Sequence, residues 1–150
     1  MEINGLPLHP LVVHAAVVFG PLAALLAIVY VVRPAWQERL RAPLVVMALV
    51  TVASIVTAFV SGNSFRDANA FFAENAQIDR HQERAGLLIW VTVGFGVVAL
   101  LAAFWRDRGA AVRLGLHVLL AAAAIALLVL VVLTGDAGAR AVYPPDSFNG

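Results

Sequence analysis

Residues 11–32 read LVVHAAVVFGPLAALLAIVYVV. No Asp, Glu, Lys or Arg interrupts the stretch, and only His14 and Tyr30 carry an ionisable group. A helix rises 1.5 Å per residue, so about 20 apolar residues cross the roughly 30 Å of hydrocarbon in a bilayer. Three further runs share this character: Leu44–Val60, Ala85–Phe104 and Leu114–Leu133, the last with His117 as its ionisable group. Leu44–Val60 is the shortest and completes a span if Pro43 opens its helix and Ser61 closes it. No run alternates with period 2, as a transmembrane barrel requires. Helices are then the way the backbone is satisfied in lipid. The expected fold is all-α, an integral membrane antiparallel four-helix bundle. It forms one domain over 1–150, with spans at about 11–32, 43–61, 85–104 and 113–134, since short connections join neighbours.

The remainder of the composition agrees. The chain has 150 residues, of which 62% are hydrophobic and 13% charged, against about 45–50% and 25% in soluble domains. Mean hydropathy is +0.91. A net charge of +1 offers no field for a polyanion, which argues against nucleic acid as a partner. With no Cys, disulfides, thiolate nucleophiles and iron–sulfur ligation are excluded. The first run follows Glu2 rather than a basic segment and precedes no A-x-A site, so it is expected to remain as a span.

Arginines set the expected orientation. The connections around residues 33–43 and 105–113 carry Arg33, Arg39, Arg41, Arg106, Arg108 and Arg113 against two acidic groups, Glu38 and Asp107. Basic short loops stay in the cytoplasm. The expected location is therefore a bacterial inner membrane with both termini and the central loop outside. Trp36 and Trp105 fall at the cytoplasmic ends, where interfacial aromatics sit. Within Ser64–Ala76, Phe65, Ala68, Phe72 and Ala76 recur at helical spacing, the pattern of a short interfacial helix between the second and third spans.

Small residues mark helix contacts in lipid. They form Ala16/Gly20/Ala24 in the first span and Thr51/Ser54/Ala58/Ser61 in the second. Gly94 is the close-approach point expected in the third, and His117/Ala121/Ala124 share a face of the fourth. The same stripes suit a homo-oligomer. Pro21 is expected to kink the first helix.

Polar residues from all four spans meet at the outer end: His9 and His14, Ser61-Gly62-Asn63, Asp79/His81/Glu83, and Thr134-Gly135-Asp136. Ionisable groups at membrane depth point to function. His14 and His117 differ in depth by roughly 20 Å, so they cannot share a metal. The feasible ligand pair is His14 with His81, and His9 is a possible third. His9 and His14 stand about 140° apart on a helix, but with Pro10 at the first helical position His9 becomes the N-cap and can turn inward.

The run Leu6-Pro7-Leu8-His9-Pro10-Leu11-Val12-Val13-His14 resembles the N-terminal signature of the bacterial membrane family called domain of unknown function 2231. That family is similar in having four spans, a His near the start of the third, here His81, and a Thr-Gly…Gly…Val-Tyr segment. Here that segment is Thr134-Gly135, Gly138 and Val142-Tyr143. The chain departs from the family at Ala15-Ala16, where Phe-Pro is usual, and at Ala137-Gly138 and Pro144-Pro145-Asp146, where the ending is usually Gly-rich. Fusion of some members to Rieske-type domains implies redox work.

Two readings of function follow. One is a His-containing polar site at the outer face holding b-type haem or a divalent metal through His14 and His81, with His9, for electron transfer with a redox partner protein. The other is a non-catalytic assembly or partner-binding subunit whose histidines are structural. An enzyme is disfavoured, because no nucleophile–base pair, phosphate loop or Cys is present.

Overall fold

The computed structural model describes residues 2–3, 6–67, 76–105 and 108–143. Four long helices dominate them: α1 (Leu8–Val32), α2 (Gln37–Asp67), α3 (Ala76–Phe104) and α4 (Ala110–Val142). A two-residue antiparallel pairing of β1 (Glu2–Ile3) with β2 (Leu6–Pro7) precedes α1. A single 3-10 turn, Pro34–Trp36, links α1 to α2. Each helix packs on two neighbours in the ring α1–α2–α3–α4. Side-chain pairs run antiparallel along it: Thr51 Oγ1 donates to the Phe19 carbonyl at 3.1 Å, and Arg84 Nη1 to the Leu133 carbonyl at 2.7 Å. The expected all-α four-helix bundle is the observed one.

All four helices are long and apolar enough to cross a membrane. Large apolar side chains line the outside, among them Leu22, Leu49, Val97 and Val118, as a chain solvated by lipid requires. Inside, alanines bring the backbones together: Ala23, Ala24 and Ala27 of α1, Ala48 of α2, Ala99 of α3 and Ala124 of α4 are buried. Tyr30, Phe95, Leu44, Leu120 and Leu127 fill the space between them.

The Ala16/Gly20/Ala24 stripe faces inward, with Gly20 against Val131 of α4. Gly94 does not make the close approach expected of it. It is exposed, and a Cβ there would meet nothing within 4 Å. The approach is at Gly96, where a Cβ would lie 2.8 Å from Val52 Cγ2 of α2. Two positions along α3 rotate the residue from the lipid face to the core.

The helices outrun the apolar stretches. At 29 to 33 residues, α2, α3 and α4 are about 44–50 Å long. Pro43 does not open α2. It lies inside the helix, in its second turn, where the lost N–H removes one bond to the carbonyl of the exposed Arg39. Likewise Pro21 lies inside an unbroken α1. Residues 64–67 belong to α2, and the rest of the expected interfacial helix, 68–75, lies outside the described residues. The extensions of α2, α3 and α4 gather at one end of the bundle with the start of α1. This site end is opposite the arginine-bearing connection between α1 and α2.

Candidate functional site

His9 lies in the first turn of α1, not at its N-cap, because the helix opens at Leu8. The first four N–H groups of a helix have no internal partner, so Pro10 costs nothing as the third residue. From there the His9 ring crosses to α2. Its Nδ1–H donates to the Ala58 carbonyl at 3.0 Å, with Ser61 Oγ 3.4 Å away. On the diagonal helix, α3, His81 does the same toward α4: its Nδ1–H donates to the Thr134 carbonyl at 2.9 Å. A carbonyl only accepts, so each imidazole carries its proton on Nδ1 and its lone pair on Nε2 when neutral.

A second feature repeats. In an α-helix the carbonyl of residue i already accepts from the N–H of residue i+4. For Ala58 that residue is Gly62, and for Thr134 it is Gly138. A Cβ at Gly62 would lie 2.9 Å from His9 Cε1, and one at Gly138 would lie 3.0 Å from His81 Nδ1. Each ring thus rests on the bare backbone of a glycine and shares a carbonyl with that glycine's N–H. The hairpins α1–α2 and α3–α4 present their histidines by one device.

Both rings line a cavity of about 590 Å³ at the site end, walled by all four helices. His14 lines it too, but its side chain is exposed. Below it, a cavity of about 70 Å³ reaches toward the core between Val13, Ile55, Leu88 and Val131 and also touches His9 and His81. Thr134, 7% exposed, lines this smaller space, and its Oγ1 has no hydrogen-bond partner among the described residues. Neither has Gln82 Oε1, although Gln82 Nε2 donates to Asn63 Oδ1 at 3.2 Å. Arg66 stands on the wall of the larger cavity, paired with Asp79 at 2.8 Å.

Burial holds His9, just outside the apolar span, below the ordinary imidazole pKa of 6.5. The Ala58 carbonyl opposes that shift and the neighbouring His81 adds to it. A depressed pKa favours the neutral ring, the form that ligates metals. The arrangement thus brings two imidazoles, each unprotonated at Nε2 when neutral, to one largely apolar space. Among the described residues, no group of three or more His, Cys, Asp and Glu that could hold a metal ion is found.

His9, His14 and His81 all line this cavity, and His9 shares the bonding scheme of His81. Asp136 pairs with Arg140 at 2.9 Å on the exposed surface of α4. His117 lies at the other end, edge-on to Tyr30 at 6.0 Å between centroids and 3.4 Å from Gln37 Nε2, which also donates to the Tyr30 carbonyl. The roles of Gly62 and Gly138 as ring seats escape sequence reading. Their only signal is the spacing Ala58-x-x-x-Gly62 and Thr134-x-x-x-Gly138.

These features define a four-span helical membrane protein with a histidine-lined cavity at one end of its bundle. Residues 5–145 match the family described as "Predicted membrane protein (DUF2231)", and the chain belongs to that family. No curated protein and no solved structure matches it.

Proposed function

We propose that the site-end cavity binds a metal-bearing redox cofactor, either a b-type haem or a metal ion, through histidine imidazoles. The protein then exchanges electrons with a partner protein, which supplies and removes them. One observation carries the reading. His9 and His81 line the same cavity, and each is locked by its Nδ1–H on a backbone carbonyl. Ligating imidazoles are oriented in this way, since the outer hydrogen bond selects the tautomer and raises the basicity of Nε2. The distribution of arginines supports placing this end at the outer face of a bacterial inner membrane.

The same hydrogen bonds favour a second reading. Each ties two helices together, so the histidines can be helix staples in an assembly or partner-binding subunit. Elemental analysis of the detergent-purified protein separates the two. The cofactor reading expects a transition metal near one per chain whose binding is weakened in His81→Ala. A metal-free protein that stays so after reconstitution, and still folds, supports the staple reading instead.

A further inference from the structure

We propose that the cavity takes a metal macrocycle of the haem class, ligated by one imidazole from each helical hairpin, His9 and His81, with Gly62 and Gly138 seating the two rings. This rests on the cofactor reading above and assigns its ligand class and ligand set. The donor count decides the class. A bare ion such as zinc takes about four ligands, at least three of them from protein, and the described residues bring no such trio together. Two imidazoles suffice for a metal whose ligand supplies its own equatorial nitrogens. Size agrees: about 590 Å³ far exceeds what an ion needs and falls within the roughly 300–1,000 Å³ of cofactor pockets.

The choice of His9 follows from symmetry of construction. His9 and His81 come from diagonal helices, and each sits over a carbonyl at i and a glycine at i+4 of the helix beside it. Two imidazoles presented in one way, from opposite sides of one cavity, suit the two faces of a flat ligand. His14 is exposed, and among the described residues no glycine lies against its ring. Among the described residues, Gln82 Oε1 on the wall of this cavity and Thr134 Oγ1 on the smaller one below it have no hydrogen-bond partner, which marks this end of the bundle as built for a polar or ligating guest.

The test is titration of the full chain, purified in detergent, with hemin and separately with Zn²⁺ and Ni²⁺. Absorption and electron paramagnetic resonance read the hemin titration, and calorimetry the ions. The expected result is one hemin per chain with a six-coordinate low-spin signature. His9→Ala and His81→Ala should each give a five-coordinate high-spin centre that added imidazole returns to low spin. That rescue shows that the variant is folded. His14→Ala should keep the wild-type spectrum. Gly62→Ala and Gly138→Ala should weaken binding about 10–100-fold, the usual effect of disturbing the groups that orient a ligand. Low-spin binding that survives His9→Ala and is lost in His14→Ala overturns the ligand assignment. Ion binding that depends on His81, without hemin binding, overturns the macrocycle and leaves the cofactor reading standing. Binding of neither overturns both.

Discussion

Replacing Gly62 with Ala isolates what holds the His9 ring. The new Cβ would lie 2.9 Å from His9 Cε1, whereas carbon atoms rest at about 3.5–4.0 Å. The ring must therefore back away by at least about 0.6 Å. Gly62 and the Ala58 carbonyl are both on α2, so that retreat stretches the 3.0 Å hydrogen bond to about 3.6 Å, beyond hydrogen-bonding range. The lost bond is worth about 0.5–1.5 kcal/mol. Against it, Ala is favoured over Gly in a helix interior by about 0.8–1.0 kcal/mol. The two nearly cancel, so global stability is the wrong readout. The imidazole is the right one. Nitrogen-15 spectra of the micelle-embedded protein at neutral pH should show His9 protonated at Nδ1 in the wild type. In Gly62→Ala they should show a tautomer mixture. Gly94→Ala, which adds a methyl group into open space on α3, should leave His9 untouched. An unchanged Nδ1–H signal in Gly62→Ala would show that the bare backbone of Gly62 does not hold the ring.

Four other outcomes are expected. Because the folded-state pKa of His9 lies below 6.5, the unfolded chain takes the proton first as pH falls past that value. Stability should therefore decline on acidification from neutrality, and His9→Gln should flatten that decline in a thermal melt followed by circular dichroism. Gly96→Ala forces a Cβ to 2.8 Å from Val52 Cγ2, and should cost about 1–3 kcal/mol as overpacking. Adding Val52→Ala should recover much of it in a double-mutant cycle. Thr51→Val removes the fully buried donor to the Phe19 carbonyl; unfolding in mixed micelles should register about 0.6 kcal/mol, the usual worth of such a bond between membrane helices. Gln37→Leu frees the Tyr30 carbonyl and the His117 ring at the far end and should lower stability without moving the His9 or His81 resonances.

The spans were legible in the sequence because lipid imposes a plain rule, about 20 apolar residues without charge. The convergence of polar groups was legible because alternating direction puts His9, Ser61, His81 and Thr134 at one end. What escaped did so for physical reasons. Hydropathy stops where the apolar run stops, but a helix continues through Asp79, Arg80 and Glu83 because its backbone bonds are indifferent to whether water or lipid surrounds it. Pro43 looks like a helix start and is tolerated in the second turn. Gly94 and Gly96 are indistinguishable until the rotation of α3 about its axis is known. Depth along the spans groups His9, His14 and His81 at one end, but the reach of the His9 ring to the Ala58 carbonyl of the neighbouring helix depends on side-chain geometry that spacing does not encode.

Whether the histidine cavity holds a metal-bearing redox cofactor can be read from a dithionite-reduced minus oxidised difference spectrum of the purified protein, with metal content measured on the same sample. The expected result is a Soret band that shifts on reduction, matched by one iron per chain, and a change from a low-spin to a high-spin spectrum when His81 is replaced. A colourless, metal-free protein that remains so after exposure to hemin and divalent ions would contradict it.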